Sequence, residues 1–359
     1  MKNGHNNITL PSLIPIFIFT LNFLFLLPLK SQEERPLVIY PAPPAPTKIQ
    51  YLRSYSTSID FKKKQTAFNR FLFGTEESTP IIKPYGICTH GSKVYICDTG
   101  IKGLIISDLA EKTFQHFIPG GKGQLQLPIN CDVDSEGNIY VADGNRKQVV
   151  IYDAELNYKD AISLKEDVKP TDVSVNDSKI WITALNDHKI YVYKKSDLSF
   201  LSSFPEGPDK SDGYLYQPAN LFADNNLIYI SDIGGCKVHM YDGQEKHLIS
   251  FGEAGKAFGQ FTRPKGICAD KEGNIYVVDA AFENVQIFDP TGALLLYFGG
   301  TYNGPGGMWL PADVTIDYNN IDLFTEYVDP DFQLKHLIFV TNQYGPDKVS
   351  VYGFVDPLK

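Results

Sequence analysis

A proline recurs six times at nearly constant spacing, each time directly before a short apolar run. These prolines are 44, 42, 48, 46 and 47 residues apart: Pro84, Pro128, Pro170, Pro218, Pro264 and Pro311. After each one the sequence predicts a strand, a turn, and a second strand whose second residue is aromatic, as in IYVAD (139–143) and IYVVD (275–279). A third strand follows in each unit and a fourth often follows it, as in VQIFD (285–289) and LLYF (295–298).

Four short strands in every 40–50 residues or so are typical of a β-propeller blade. The runs are rich in β-branched and aromatic residues and lack helical periodicity. Six units therefore predict an all-β, six-bladed propeller. Hydrophobic residues make up 43% of the 359 residues, which is enough for a full core and excludes a wholly disordered chain.

The two ends of the repeat region complement each other. The sixth unit has its third strand at 349–353 and no fourth, whereas QYLRSY at 50–55 is strand-like and has no partner strands before it. We expect this N-terminal strand to complete the last blade and close the ring, because an open ring would leave sheet edges unpaired. A short helix is predicted at 60–74, with Asp60 as N-cap and Gly74 as C-cap, on the rim or across one mouth.

The blades resemble NHL repeats over about residues 49–355. The segments that carry the resemblance are RPKGICADKEGNIYVVDAAFENVQIFDPTGALLLYFGG (263–300) and LPINCDVDSEGNIYVADGNRKQVVIYD (127–153). Blade 3 departs from the pattern with Ala184 where Asp is usual, and blade 6 has Asn342 there. More distantly the chain resembles gluconolactonase-like propellers, and that resemblance implies a Ca²⁺ site at the channel mouth held by Glu, Asn and Asp.

The N-terminal region predicts export. Residues 13–29 form an uncharged apolar run of 17 residues, longer than most signal cores and shorter than most membrane spans. We expect 1–35 to be an export signal, with an uncleaved membrane tether or a buried apolar stretch as alternatives. Residues 36–48 are proline-rich and predict a stiff linker, or a proline-rich recognition ligand, ahead of a propeller at 49–359. The expected location is extracytoplasmic, in the periplasm or cell envelope.

Charge and cysteine content limit the possible partners. The formal net charge of −9 argues against a nucleic-acid binder, which normally has a basic face. The five cysteines include no CxxC, and no histidine lies at zinc-ligand spacing from a cysteine pair. We expect buried thiols, with one disulfide as an open alternative that the spacing does not pair. The cysteines are Cys88, Cys97, Cys131, Cys236 and Cys268.

The third residue of each unit, counted from its proline, is the strongest candidate for ligand binding. NHL repeats usually have glycine there, but four units carry a polar side chain instead: Asn130, Asp172, Asn220 and Asp313. Their oxygens suit a polar ligand or Ca²⁺ at the channel mouth. The alternative is that they only tolerate the left-handed backbone that glycine adopts at turns. No cofactor is predicted apart from this possible Ca²⁺.

Two further features complete the candidate residues. An aspartate closes the second strand of four units, and we expect it to cap backbone amides in the adjoining loops: Asp98, Asp143, Asp232 and Asp279. An acidic and aromatic insertion at 317–336 joins the first two strands of blade 6, on the face opposite the candidate site. It is predicted either to dock a partner or to be a solvated loop.

The leading hypothesis is an exported, non-catalytic propeller that acts as a binding or assembly scaffold for a protein partner or small ligand. The alternative is a Ca²⁺-dependent hydrolase or lyase with its site at the channel mouth. The sequence contains no Gly-x-Ser-x-Gly motif and no phosphate-binding loop, and it identifies no catalytic residue.

Overall fold

The structure, a computed structural model, describes residues 1, 4, 37–61, 71–72, 77–165, 167–207, 211–224 and 226–358. From Leu37 onward, the described residues form one compact unit. The predicted export segment at 13–29 lies outside the described residues. Within the described ranges, no helix has the length and apolar character needed to cross a bilayer.

Six antiparallel sheets confirm the predicted all-β, six-bladed propeller. Each blade runs from an inner strand at the channel to an outer strand at the rim. Blade 1 comprises β3 (Pro84–His90), β4 (Lys93–Asp98), β5 (Gly103–Asp108) and β6 (Thr113–Phe117). Blade 2 comprises β7 (Pro128–Val133), β8 (Ile139–Asp143), β9 (Gln148–Tyr152) and β10 (Tyr158–Ser163). Blade 3 comprises β11 (Pro170–Val175), β12 (Lys179–Ala184), β13 (Lys189–Lys194) and β14 (Phe200–Phe204).

The remaining three blades repeat this order. Blade 4 comprises β15 (Pro218–Ala223), β16 (Leu227–Asp232), β17 (Lys237–Asp242) and β18 (His247–Phe251). Blade 5 comprises β19 (Pro264–Ala269), β20 (Ile275–Asp279), β21 (Asn284–Phe288) and β22 (Leu294–Gly299). Blade 6 comprises β23 (Pro311–Asp317), β24 (Phe332–Asn342), β25 (Val349–Pro357), β2 (Ile49–Tyr55) and β1 (Ile39–Tyr40).

Every repeated proline is the first residue of an inner strand, a position where the missing N–H costs no ladder hydrogen bond. Successive side chains of a strand point to opposite faces, so each blade buries apolar residues against both of its neighbours. Cys88 and Ile106 of blade 1, for example, share one cluster with Val141 and Val150 of blade 2. The core is therefore a set of layers between blades.

The N-terminal strand closes the ring as predicted. Strand β2 pairs antiparallel with β25, from Ile49 opposite Phe354 to Tyr55 opposite Val349. The last blade is thus built from both ends of the repeat region, and its outer edge is paired.

The proline-rich segment differs from the predicted linker. Ile39 pairs with Gln50, so β1 adds a fifth strand to blade 6, and the hydroxyls of Tyr40 and Tyr302 lie 2.5 Å apart. Lys48 donates its backbone N–H to the Tyr40 carbonyl. The prediction of a spacer is therefore wrong from Ile39 onward, because backbone pairing holds this segment on the propeller.

The predicted helix begins two residues earlier than expected. Helix α1 spans Ser58–Phe61, and residues 71–72 are also helical, while the predicted C-cap Gly74 lies outside the described residues. Asp60 is not the N-cap. Its carboxylate instead accepts the backbone N–H groups of Ser56 and Thr57, both at 2.8 Å, from inside the first turn.

The insertion in blade 6 packs partly against the N-terminal strand. It contains two short 3₁₀ turns, Ile321–Leu323 and Thr325–Tyr327. The backbone carbonyl of Tyr327 accepts a hydrogen bond from the Gln50 side chain, and Phe324 is 1% exposed. The aromatic side of the insertion is thus part of the core, whereas Asp322 and Glu326 remain exposed.

Candidate functional site

The inner strands of all six blades surround a central cavity of about 280 Å³. Three of the predicted residues, Asn130, Asp172 and Asp313, line it. Asn220 is buried beside Asp172, and the Asn220 side chain favours the charged form of Asp172. The fold thus brings the four predicted residues to the centre of the ring, within the channel wall and not at its rim.

The carboxylates of this set tie neighbouring blades together. Asp313 of blade 6 accepts the Ile87 N–H of blade 1 through Oδ2 at 2.9 Å. Asp172 of blade 3 accepts the Leu221 N–H of blade 4 through Oδ2, also at 2.9 Å. Asn130 Oδ1 accepts the N–H of the residue that follows it at 2.8 Å. Each of these oxygens therefore satisfies a buried backbone amide.

Burial weakens the acidity of the carboxyl groups in the cavity. Desolvation raises the pKa of Asp313 to about 7, although the Ile87 N–H favours the charged form. Desolvation and repulsion from Asp313 raise the pKa of Asp172 well above its usual range. Asp132, on the same wall, has a pKa raised by burial to about 7. The cavity therefore carries less negative charge at neutral pH than three free carboxylates would.

Close approach, not backbone conformation, explains the glycines at the equivalent positions. A Cβ on Gly86 would lie 1.9 Å from Asn130 Oδ1, and one on Gly266 would lie 2.4 Å from the Asp313 Cα. Neither glycine has a positive φ, and Asn130 and Asp313 have none either. The expectation of a left-handed backbone is wrong here. In each case a polar residue lies over the glycine of the preceding blade.

The donor set does not fit a calcium ion in this geometry. Ca²⁺ takes six to eight oxygens around one point. The Oδ2 atoms of Asp172 and Asp313 instead face backbone amides of different blades. A shared ion would have to draw these oxygens away from the contacts between blades.

The aspartates that close the second strands each hold two loops. Asp98, for example, accepts the N–H groups of Ile82 and Lys83 from the loop that enters its blade, at 2.7 and 3.0 Å, and the N–H of Gly100 from the loop that follows. The same pattern recurs at three other sites: Asp143, Asp232 and Asp279. In blade 3, where Ala184 stands instead, Asn186 accepts the Lys169 N–H at 3.0 Å.

A serine, a histidine and an aspartate align on blade 4. Ser250 Oγ lies 2.8 Å from His239 Nδ1, and His239 Nε2 lies 3.6 Å from Asp232 Oδ2. Asp232, however, holds the same loop amides as its counterparts in blades without a histidine. Gln286 occupies the matching position in blade 5 and bonds the linker at Gly259. The alignment of Ser250, His239 and Asp232 on blade 4 is therefore a local variant of the structural contacts that blade 5 makes at the same positions.

A buried lysine at the channel entrance was not among the residues predicted from the sequence. Lys265, the residue after the proline of blade 5, is 2% exposed, and its Nζ donates to the Tyr85 hydroxyl at 2.8 Å. Burial, followed by the charges of Arg263 and Lys83, lowers the pKa of Lys265 to about 7, and Asp313 partly offsets this. A signal was present, since the other five blades have uncharged residues here: Tyr85, Ile129, Thr171, Ala219 and Ala312.

Lys83, Tyr85, Arg263 and Lys265 together form what we call the cationic mouth. These residues lie at the start of the inner strands of blades 1 and 5, which flank blade 6. Lys83 and Arg263 directly precede the repeated prolines of their blades. Lys265 is near two further cationic side chains, Arg263 and Lys83, and both Lys265 and Tyr85 are near Asp313 of the channel.

Sequence comparisons support the resemblance to NHL repeats. No family model matches the chain. The NHL-repeat protein named brain tumor, from Drosophila melanogaster, is 33% identical over 95 residues, which is 26% of this chain and 9% of that protein. Protein lin-41 of Caenorhabditis elegans is 36% identical over 77 residues, which is 19% of this chain and 7% of that protein. The matches thus span less than a tenth of either curated relative, and they confirm the predicted resemblance.

Solved structures share the fold at low sequence identity. A streptogramin B lyase has a TM-score of 0.52 and 15% identity, over 79% of this chain and 85% of its own. A gluconolactonase from Xanthomonas campestris has a TM-score of 0.53 and 14% identity, over 90% of this chain and 98% of its own. A protein of unknown function from Bacteroides thetaiotaomicron has a TM-score of 0.55 and 14% identity, over 78% and 71%. These similarities show a common propeller architecture.

Proposed function

We propose that this chain is a non-catalytic binding propeller that holds the anionic group of a protein or small ligand at the cationic mouth. The observation that carries the proposal is the placement of Lys265. Its amine is 2% exposed, donates to the Tyr85 hydroxyl at 2.8 Å, and lies near enough to Arg263 and Lys83 for their charges to lower its pKa. A carboxylate or phosphate group placed there would relieve the repulsion among Lys83, Arg263 and Lys265.

Each part of the mouth has a distinct role in this proposal. Arg263 is exposed and meets an incoming anion first, since its planar guanidinium suits carboxylate and phosphate groups. Lys265, held by Tyr85, provides a fixed donor below it. Lys83 lies 5.6 Å from the centre of the Tyr344 ring, so an aromatic surface borders the site. The mouth can therefore recognise an anionic group attached to an apolar body.

The contacts in the channel favour binding over hydrolysis or lyase chemistry. The carboxylates that a Ca²⁺-dependent enzyme would use are engaged with the backbone amides of Ile87 and Leu221. The site is then a rigid platform whose polar groups hold the ring together.

The proposal is tested by titrating the full chain with inorganic phosphate and with citrate by calorimetry. We expect Lys83→Ala to weaken binding about tenfold. Lys169→Ala is the matched control, because Lys169 also precedes a repeated proline but lies on blade 3, across the ring. Equal affinities in the two variants, or no binding of either probe to the unmodified chain, would contradict the proposal.

The proton balance provides a second readout. Binding an anion raises the pKa of Lys265, so the complex takes up protons near neutral pH. Calorimetry in two buffers with different ionisation enthalpies measures this uptake. Lys265→Met should abolish it, whereas adventitious binding elsewhere would leave it unchanged.

We further propose that the chain is exported and acts outside the cytoplasm, with 13–29 as its signal or membrane tether. The uncharged apolar run between Lys2 and Lys30 supports this proposal. Fractionation of cells that produce the full chain should place it in the envelope or exported fraction. A chain lacking 13–29 should stay in the cytoplasm, and the same distribution for both chains would contradict export.

A further inference from the structure

Two cysteines from neighbouring blades face each other in the wall of the central cavity. Cys88 lies on the inner strand of blade 1 and Cys131 on that of blade 2, and their Sγ atoms are 3.6 Å apart. Both line the cavity, with exposed fractions of 8% and 4%. A third thiol, Cys97, is fully buried in the same cluster.

The two facing thiols differ in acidity because their surroundings differ. Hydrogen bonds from Cys88 and Cys97 lower the pKa of Cys131 to about 5. The hydrogen bond to Cys131 and burial raise the pKa of Cys88 well above its usual value. Cys131 is therefore the more acidic of the two facing thiols, and we expect its sulfur to attack first.

We propose that Cys88 and Cys131 are an oxidation site, at which a small hydroperoxide entering the channel joins blades 1 and 2 through a disulfide. The Cys131 sulfur attacks the terminal oxygen of the hydroperoxide and the O–O bond breaks, so that a sulfenic acid forms and the alcohol leaves, or water when the oxidant is hydrogen peroxide. The Cys88 sulfur then attacks the Cys131 sulfur, the S–O bond breaks, and the sulfenic oxygen leaves as water. In sum, two thiols are oxidised by two electrons and one hydroperoxide is reduced.

The two sulfurs are separated from bonding distance by a short movement. The two sulfurs must approach from 3.6 Å to about 2.05 Å, a change that side-chain rotation can supply when the Cβ atoms are close. The bond would link residues 43 apart in sequence and add a covalent tie between blades to the backbone connection. The oxidised protein should therefore have a higher Tm than the reduced protein.

The test uses the full chain, reduced and then treated with hydrogen peroxide. Free thiols are alkylated under denaturing conditions and counted by intact mass. We expect the count of free thiols to fall from five to three, and peptide mapping to join Cys88 to Cys131. This mapping needs no variant, so it remains decisive even if a substitution prevents folding.

Variants identify the pair independently. Cys88→Ala should block the bridge and leave Cys131 as a sulfenic acid that dimedone traps, so that one thiol is lost instead of two. Cys268→Ala is the matched control, because Cys268 lines the same cavity and is 4% exposed, and it should still form the bridge. Five free thiols after oxidation, or a bridge that contains Cys97 or Cys268, would overturn the proposal.

Discussion

Lys265 reaches across the entrance of the channel to Tyr85, donating a 2.8 Å hydrogen bond to its hydroxyl and lying 4.4 Å from its ring centre. The two residues come from blades 5 and 1, which are separated by blade 6. The contact therefore joins two blades that are not neighbours. It also keeps an amine that is 2% exposed in a place where its charge is costly.

The cost of burying the charge of Lys265 predicts that the stability of the folded chain depends on pH. In the unfolded chain a lysine keeps its proton up to about pH 10, whereas Lys265 in the folded chain loses it near pH 7. Between these values the unfolded state binds more protons, so the free energy of unfolding rises with pH. Lys265→Met should remove about 2 kcal/mol of this rise between about pH 7 and pH 9. Urea unfolding at several pH values measures it, with Lys169→Met as the control that keeps the slope.

Asp313 predicts the opposite slope at lower pH. Its folded pKa of about 7 exceeds the unfolded value of about 4, so the folded state binds more protons between them and stability falls as pH rises. Asp313→Asn keeps an acceptor for the Ile87 N–H and should flatten this fall. Asp313→Ala removes the same titration but leaves that buried N–H unpaired, so it should be about 1–3 kcal/mol less stable than Asp313→Asn at every pH. Identical pH profiles for Asp313→Asn and the unmodified chain would contradict the assignment.

Gly86 should resist substitution even by alanine. A Cβ there would lie 1.9 Å from Asn130 Oδ1 and 2.5 Å from the Asn130 Cα, so the backbone of the next blade would have to move. We expect Gly86→Ala to lower the free energy of unfolding by about 2–3 kcal/mol. In Gly120→Ala the new methyl group meets nothing within 4 Å, so this variant serves as the control. Chemical denaturation of the two variants decides the comparison, and similar stabilities would be inconsistent with the close approach.

Ring closure predicts how far the N-terminus can be shortened. A chain that begins at Leu37 retains β1 and β2, and should unfold cooperatively with the Tm of the full chain. A chain that begins at Ser56 lacks the strand that pairs with β25, so it should aggregate or lose its cooperative transition. Calorimetry and size-exclusion chromatography test both chains. A cooperative transition in the shorter chain would show that closure does not require β2.

Calcium should have little effect on this protein. Because the Oδ2 atoms of Asp172 and Asp313 bond to amides of different blades, we expect the same Tm in EDTA and in millimolar Ca²⁺. A Ca²⁺-dependent rise that disappears in Asp172→Ala would instead support the hydrolase or lyase alternative. Sodium chloride of equal ionic strength is the control for screening.

The repeat made the architecture readable from sequence. Each blade is a local unit of short strands and turns, and the spacing of the prolines counts the units directly. The unpaired strand at one end and the missing strand at the other also predicted ring closure, since paired edges are favourable. The prediction for the proline-rich segment was wrong, because composition indicates stiffness but does not indicate which strand edge Ile39 pairs with.

Only part of the candidate site could be predicted from the sequence. The sequence placed Asn130, Asp172, Asn220 and Asp313 at equivalent positions, because position within a repeat fixes which face a residue occupies. It could not say that Asp313 accepts the Ile87 N–H 226 residues away, nor explain Gly86 by the close approach of Asn130.

The sequence alone determined the number of blades, their strand order and the way the ring closes, because these depend on local periodicity and on pairing of strand edges. Only the tertiary structure decided that Lys265 meets Tyr85 and that Cys88 meets Cys131. Such pairs depend on how blades from distant parts of the chain pack around one axis, which sets both distance and dielectric environment. Those two quantities, rather than residue type, determine the pKa values and the chemistry of the channel.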